Sequence, residues 1–342
     1  MNRNSQSETQ NANSIRLADI AKLTGYSLAT VSKALNGKSD ISETARLAID
    51  KALKDSGYTR RITPKSTQKT IEVVFRDFET IWALEVLRGI LSETKAHGIN
   101  VMIAESGDLQ HPDASWVEGI IRRQPLGAIL VFSNLTKAER NTFQSYNIPF
   151  VIFDPAGNPA LDDLSVQADN WTGGVIATRH LLELGHKRIG IITGPDDMLC
   201  ARARLDGYAA ALAERNLPTH PELITEGDFT TPGGYEGAMA LLENERIRPT
   251  AIFASSDLQA MGVYEAARQL RLRIPEDLSV VGFDDIQTAA YMNPSLTTVR
   301  QPLQDMAIAA ARMIIDSSEG TLRQKRIILS TSLVVRNSTR SL

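Results

Sequence analysis

Three short apolar patterns of helical period lie near the start of the chain, after a polar stretch that has none. Residues 1–13 are polar throughout, so we predict a disordered tail there. Apolar positions then recur at helical spacing: Leu17, Ile20, Ala21 and Leu23; Val31 and Leu35; Ala45, Ile49 and Leu53. Ser27 and Ser42 precede the second and third patterns as N-caps. Each apolar face is too small to be stable alone, which predicts one three-helix domain at 14–59.

A different pattern occupies the rest of the chain. Residues 60–70 show no apolar periodicity and contain Pro64, so we predict a linker there. From 71 to 342, short apolar runs alternate with amphipathic helical segments, as in βαβ units with parallel sheets. The predicted strands include Ile71–Phe75, Ile99–Ala104, Ala128–Phe132, Phe150–Phe153, Arg188–Ile192, Thr250–Phe253 and Leu278–Gly282. This length exceeds one open sheet, so we predict an α/β body of two doubly wound lobes with a ligand cleft between them.

The charge of the chain is divided unevenly. The net charge of −3 alone argues against a nucleic-acid-binding protein. Residues 14–70, however, hold eleven Lys and Arg against five acidic residues, a net charge of +6, which leaves −9 on 71–342. A basic head on an acidic body indicates a small module that faces phosphates, attached to a body that does not.

Several classes of protein are disfavoured. No apolar run is long enough for a membrane span, and the N-terminus has no secretory signal. The single cysteine, Cys200, excludes an internal disulfide. Together these three observations predict a cytoplasmic protein. A GxGxxG motif after the first strand and a Walker motif are both missing, and His180 and His186 are six residues apart, which does not suit one metal site on a helix. We therefore predict no cofactor, no metal and no enzymatic activity.

The segment from Leu17 to Gly37 has the features of a helix-turn-helix. Ala21 is small where two helices would cross, Gly25 suits the turn, and Val31 can anchor the second helix. Placing that second helix in the major groove puts Leu28, Ala29 and Lys33 at base edges. The same placement puts further polar residues near phosphates, namely Ser27, Thr30, Ser32 and Asn36.

This segment resembles the N-terminal signature of LacI/GalR transcriptional regulators. The matching residues are Asp19-Ile20-Ala21, Gly25, Ser27, Thr30-Val31-Ser32 and Leu35-Asn36. Members of that family carry a hinge helix whose leucine enters the minor groove, but this chain has Thr67 at that position and Pro64 before it. Leucine intercalation is therefore doubtful here, and we expect Arg60 and Arg61 to contact DNA instead.

The body resembles the same family along nearly its whole length. The matching motifs are Asp169-Asn170-x-x-Gly173-Gly174, His180-Leu181-x-x-x-Gly185-His186, Ile191-x-x-Gly194-Pro195, Arg204-x-x-Gly207-Tyr208, Ser256-Asp257-x-x-Ala260-x-Gly262, Val280–Asp285 and Pro294-x-Leu296–Val299. The resemblance implies two lobes like those of periplasmic sugar-binding proteins, with three crossings near 167, 299 and 329. The N-lobe would comprise about 71–167 and 300–328, and the C-lobe about 168–298 and 329–342.

The resemblance also implies residues that bind a small sugar as effector. Arg202 falls at the position of the family's sugar-binding arginine, Asp284 matches a ligand carboxylate, and Phe229 matches a stacking aromatic. Arg204 is as well explained by a structural ion pair as by ligand contact. Asp154 follows a strand as Asp284 does. Further candidates for the pocket are Trp82, Asp77, Trp171 and Tyr291.

These features predict a DNA-binding repressor of carbohydrate-utilisation genes. It would act as a homodimer, because one head covers only half of a palindromic operator. Three segments resemble regulators of xylose or xylo-oligosaccharide use, namely Trp82–Glu85, Asp169–Trp171 and Leu199–Arg202. Control by a phosphoprotein or a nucleobase corepressor stays open, and a transport receptor is disfavoured by the DNA-binding head.

Overall fold

The structure, a computed structural model, describes residues 15–35, 41–56, 69–76, 80–107, 115–131, 135–243 and 245–342. The chain forms two compact units, one of residues 1–67 and 135–148, the other of 68–134 and 149–342. The predicted tail and nearly all of the predicted linker lie outside the described residues.

The head consists of three helices, α1 (Leu17–Thr24), α2 (Leu28–Leu35) and α3 (Glu43–Ser56). Gly25 ends α1 in the left-handed conformation, with a φ of 73°, and its N–H donates to the Ala21 carbonyl. The Ser27 hydroxyl accepts a hydrogen bond from the Thr30 N–H at 3.1 Å, which caps α2. Ile20, Val31 and Ile49 are fully buried in a small shared core, as the apolar spacing predicts.

The first lobe of the body contains a six-stranded parallel sheet. Its strands are β1 (Thr70–Phe75), β2 (Asn100–Glu105), β3 (Gly127–Val131), β4 (Phe150–Phe153), β5 (Leu164–Ala168) and β11 (Arg326–Leu329). They are arranged in the order β11-β5-β4-β3-β1-β2. The helices of this part of the chain are α4 (Ile81–Ala96), α5 (Trp116–Arg123), α6 (Lys137–Ser145), which belongs to the first compact unit, and α11 (Leu303–Glu319).

The second lobe repeats this architecture. Its strands are β6 (Ile189–Ile192), β7 (Ile224–Thr225), β8 (Ala251–Ala254), β9 (Ser279–Asp284), β10 (Thr297–Arg300) and β12 (Ser332–Val334), in the order β12-β10-β9-β8-β6-β7. Only β12 is antiparallel to its neighbour among the described strands. The helices are α7 (Asn170–Glu183), α8 (Leu199–Glu214), α9 (Thr231–Leu242) and α10 (Asp257–Gln269), with short 3-10 helices at Pro221–Leu223 and Gln287–Tyr291. The predicted α/β class, with a helical head and two lobes, is confirmed.

The chain passes between the lobes three times. It leaves the first sheet after Ala168, returns after Arg300, and leaves again after Leu329. The predicted crossings near 167, 299 and 329 are adjacent to these points. Because the strands within each of these groups are parallel, the carboxyl ends of β1, β3 and β4 lie at one edge of the first sheet, and those of β6, β8 and β9 lie at one edge of the second.

Two helices of the second lobe touch at their backbones. A Cβ atom on Gly174 of α7 would lie 2.2 Å from the carbonyl oxygen of Arg204 in α8. A Cβ on Gly207 of α8 would lie 2.2 Å from the carbonyl oxygen of Trp171. Only glycine permits this approach, which places the start of α8 directly against α7.

Candidate functional site

A cavity of about 430 Å³ lies between the two lobes of the body, and we call it the cleft cavity. The first lobe contributes Phe75, Arg76, Thr80, Trp82 and Val131. The second lobe contributes Pro195, Met198, Cys200, Arg204, Asp228, Phe229, Thr230, Ser256, Leu258 and Asp284, and Gln301 comes from the crossing after β10. Most of these residues follow a strand or begin a helix, as expected at this edge of parallel sheets. The volume suits a small organic ligand.

Arg204 is the buried cation of this cavity, with only 3% of its surface exposed. Its Nε donates to Asn170 Oδ1 at 2.9 Å, and its Nη1 donates to the carbonyl oxygen of Ser255. The guanidinium lies 3.7 Å from the centre of the Phe283 ring and 5.4 Å from that of Phe229. These contacts hold the planar group in one orientation, which is what bidentate binding of a polar ligand requires.

Asp284, at the end of β9, places a buried carboxylate in the same cavity. Burial raises the pKa of Asp284, while Arg204 and a hydrogen bond from Gln301 oppose that rise. Gln301 Nε2 donates to Asp284 Oδ1 at 2.8 Å. Burial and the nearby charge of Asp284 also raise the pKa of Asp257, whose Oδ1 accepts from Thr298. The carboxyl group that Asp284 contributes to the cavity therefore has a pKa that depends on Arg204 and Gln301.

Apolar side chains form the other walls. Trp82 is 8% exposed and packs edge-on against Phe153, with ring centres 5.9 Å apart. Phe229 lies opposite, on the second lobe, and packs with Met198 and Cys200. Phe229 and Asp284 have left-handed φ values of 66° and 116°, conformations that residues other than glycine adopt rarely. Such backbone strain is concentrated at functional sites in proteins.

Asp154 lines a second, smaller cavity beside the crossings, which we call the hinge cavity. It is 1% exposed, and burial raises the pKa of Asp154 to about 6, although Arg204 and Asn170 oppose the rise. Cys200 lines both cavities, and burial raises the pKa of its thiol to about 12, so the group is a thiol at neutral pH. Trp171 belongs to the hinge cavity as well.

The structure brings together only some of the predicted effector-site residues. Asp284, Phe229 and Trp82 line the cleft cavity, whereas Asp154 and Trp171 line the hinge cavity. Arg202 is exposed and lines neither of these two cavities, and its Nη1 donates to the Asp196 carbonyl oxygen at 3.2 Å.

The remaining predicted residues are away from both cavities or are not described. Tyr291 is 80% exposed and does not line either cavity. Asp77 lies outside the described residues. Sequence reasoning missed Arg76, Asp228 and Gln301, although the position of Arg76 directly after β1 was a usable signal.

The outer face of α2 holds the predicted DNA-contacting residues. Leu28 is 52% exposed, and Ser27, Ala29 and Lys33 are also exposed. Thr30 and Ser32 are half-buried. Asn36, Arg60 and Arg61 lie outside the described residues. The exposed part of the face thus begins at the N-terminus of α2, the end that enters the major groove in helix-turn-helix proteins.

His180 of α7 and His186, which follows that helix, both have protein partners. His186 contacts the Thr250 hydroxyl through Nδ1 and the Arg340 carbonyl through Nε2, and His180 contacts the Thr339 hydroxyl. Within the described residues, no group of three or more His, Cys, Asp or Glu side chains is arranged to hold a metal ion. No helix among them is long and apolar enough to cross a membrane.

Known proteins are similar to this chain in both its head and its body. Residues 16–61 match the family of bacterial regulatory proteins of the lacI type, and residues 178–339 match a periplasmic binding protein-like domain. The HTH-type transcriptional repressor CytR of Escherichia coli (strain K12) is 32% identical over 331 residues, 95% of this chain and 96% of that protein. The ribose operon repressor of the same strain is 32% identical over 329 residues, 94% of this chain and 99% of that protein.

A solved structure of a transcriptional regulator is also similar to this chain. The transcriptional regulator CelR in complex with cellobiose superimposes with a TM-score of 0.73 at 29% identity, covering 95% of this chain and 99% of that one. Because similarity at this level extends over head and body alike, the chain belongs to the LacI family of bacterial transcriptional regulators.

Proposed function

We propose that this protein is a transcriptional repressor whose affinity for operator DNA changes when a small sugar binds in the cleft cavity. The observation that carries the proposal is the buried Arg204 guanidinium held beside apolar walls between two lobes. The relatives named above are repressors by name, and one similar regulator has been solved with cellobiose.

The head supplies the DNA-binding part of the proposal. Lys33 is the basic residue on the exposed face of α2, where it can donate to acceptors on guanine. Leu28 and Ala29 have no polar side-chain atoms, so they would contact bases through apolar groups such as the thymine methyl. Ser27, Thr30 and Ser32 are expected to bind phosphates, and Asn36, Arg60 and Arg61 remain predicted contacts.

The cleft cavity supplies the effector-binding part. A sugar has hydroxyls around its ring and apolar patches on its faces. Arg204 and Asp284 offer a donor fork and an acceptor carboxylate for the hydroxyls, and Trp82 and Phe229 offer flat apolar surfaces for the ring. We assign the ligand-binding arginine to Arg204 rather than to the predicted Arg202, because Arg204 alone of the two lines the cavity.

The repressor is proposed to act as a homodimer. A palindromic operator presents two half-sites, and one head covers one of them. Edge strand β2 leaves Met102 and Ile103 39% and 42% exposed, and α4 leaves Leu84 and Leu91 exposed. Exposed apolar residues on an edge strand and an adjacent helix favour association. We expect Ile103→Asp to produce a monomer in light-scattering measurements and to weaken operator binding, whereas a dimer that persists would exclude this face.

Effector binding is proposed to act by changing how the lobes close. Ligand contacts come from both lobes and from the crossing at Gln301, so the bound ligand favours one interlobe angle. A coupling free energy of about 1–3 kcal/mol between the two sites is enough for useful regulation.

The proposal is tested by titrating the full-length protein onto fluorescent DNA from the region upstream of its own gene, with D-ribose, D-xylose or cellobiose added. We expect preferential binding to a palindromic segment, with the affinity changed by at least one sugar. Release indicates an inducer and tightening a corepressor. No preference for any palindrome, with or without sugars, would overturn the proposed function.

A further inference from the structure

The hinge cavity is separate from the cleft cavity and has a volume of about 280 Å³. Its lining residues include Asp154, Gln167, Asn170, Trp171, Cys200 and Ile328. Of these, only Cys200 also lines the cleft cavity. Pockets that bind drug-sized molecules have volumes of about 300 Å³ or more. The hinge cavity is slightly smaller, so it suits a ligand with one small ring.

The walls combine an exposed apolar rim with polar groups. Trp171 is 49% exposed and Ile328 is 63% exposed, so both offer apolar surface against which a ring can pack. Asp154 is 1% exposed, and among the described residues its Oδ2 has no hydrogen-bond partner. Buried carboxylate oxygens are normally hydrogen-bonded, so Oδ2 lacks a donor even though Asn170 bonds to the same carboxyl group. Gln167 adds an amide that can both donate and accept.

The charge around this cavity favours a neutral ligand. Asp154 and Asp169 are its ionisable carboxyl groups, and no Lys or Arg lines it. Their negative charge is offset by the N-termini of α7 and α8, which both begin at the cavity, and by Arg204 behind Asp154. Thr172 already donates to both carboxylate oxygens of Asp169, so Asp154 is the carboxyl group that a ligand would satisfy. A ligand with hydroxyl donors does so without adding charge, and its ring can lie against Trp171.

We propose that the hinge cavity is a second ligand site, which takes a neutral polyhydroxylated molecule of the size of one sugar ring. The proposal does not depend on which ligand occupies the cleft cavity.

Occupancy of this site is expected to affect the cleft. Gln167 and Ile328 belong to strands of the first sheet, whereas Leu199 and Ala203 belong to α8 of the second lobe. A ligand between them therefore favours one interlobe angle. Asn170, which lines the hinge cavity, accepts the hydrogen bond from Arg204 of the cleft cavity, so the two sites share a direct contact. By linkage, each ligand then changes the affinity for the other by the same factor.

The test counts bound sugar on the full-length protein by equilibrium dialysis with radiolabelled D-ribose, D-xylose and D-glucose. We expect at least one of these to bind at two sites per chain. Trp171→Ala should weaken one site by about tenfold or more, and Ala203→Leu, which fills the hinge cavity, should abolish the same site. Trp82→Ala is the matched control, because it removes an aromatic wall from the cleft cavity alone.

The outcomes separate this proposal from the proposed function. One site that responds to Trp82→Ala and not to Trp171→Ala or Ala203→Leu would overturn the hinge site and leave the cleft site standing. One site with the opposite response would support the hinge site and overturn the cleft site. No binding of any of the three sugars would overturn the hinge site. A variant that keeps Trp171 as its only tryptophan gives a second readout, since its fluorescence should change in step with occupancy of the hinge site.

Discussion

The residues that we propose for recognition lie in opposite environments in the head and in the body. In the head, Leu28, Ala29 and Lys33 are exposed, and the small core beneath them is formed by other residues such as Ile49. In the body, Arg204 and Asp284 are almost fully buried and are bonded to the surrounding structure. Recognition and folding stability are therefore separable in the head and coupled in the body. Substitutions in each region should show this difference.

The largest effect is expected from Arg204→Ala. It removes the donor fork from the cleft and leaves Asp154 and Asp284 without their nearest counter-charge. Breaking one side of a buried charge arrangement costs about 3–5 kcal/mol of stability. We expect sugar affinity to fall by about a hundredfold or more and the body to unfold at lower denaturant, measured by calorimetry and fluorescence. Arg202→Ala, two residues away and exposed, is the control, and equal losses in both variants would contradict the assignment of Arg204.

The next largest effect is expected from Ile49→Ala in the head. Ile49 is fully buried in a core of few residues, and truncating such a side chain costs about 2–5 kcal/mol. Operator binding should be lost because the head unfolds, while sugar binding by the body should be unchanged. Leu47→Ala on the same helix is the control, since Leu47 is 65% exposed. A loss of sugar binding in Ile49→Ala would show that the two regions are not separable.

A smaller, pH-dependent effect is expected at Asp154. Its folded-state pKa of about 6 lies above the ordinary value of 3.8, so the folded protein retains a proton that the unfolded chain has lost. Its contribution to stability is therefore full below about pH 4 and declines as the pH rises to about 6. The decline amounts to about 3 kcal/mol for a shift of this size. Unfolding by denaturant from pH 4 to 7 should show that Asp154→Asn becomes more stable, relative to the natural protein, as the pH rises.

The control for that measurement is Asp206→Asn, at an exposed position on α8. A relative stability of Asp154→Asn that is constant across the range would show that the folded-state pKa of Asp154 is not raised.

The smallest effect on stability is expected from Lys33→Ala. A side chain that donates to one base pair contributes about 1–3 kcal/mol of discrimination, so operator affinity should fall by about tenfold or more. Binding to random DNA should fall less, and the melting temperature should stay the same. Lys22→Ala, at an exposed position of α1, is the control. Equal losses on operator and random DNA would show that Lys33 contacts only phosphates.

The sequence predicted some parts of the molecule far better than others. The three helices of the head follow from local signals, such as the Ser27 cap, the Gly25 turn and the helical spacing of buried residues. The site residues depend on long-range packing. Arg202 and Arg204 are two residues apart on one helix and point in different directions, and only the burial of α8 against α7 shows which one faces the cleft.

Two other positions show the same limit. Asp154 follows β4 and Asp284 ends β9, yet they line different cavities. Strand β4 pairs with β5, which ends at the crossing after Ala168. Tyr291 is an aromatic residue that the sequence analysis gave as a candidate for the pocket, but it lies at the surface. Sequence patterns identify which residue types end strands, but the arrangement of the strands decides which cavity each residue lines.

The backbone contact at Gly174 means that a substitution outside the cleft cavity could disturb the effector response. A methyl group there meets the main chain of Arg204 and would force α8 outward, which displaces the guanidinium from its partners. Genetic screens for variants that bind the operator but no longer respond to the effector should therefore recover substitutions at Gly174, which does not line the cleft cavity. Such variants would keep every residue of the cleft cavity in the sequence and would differ only in how Arg204 is held.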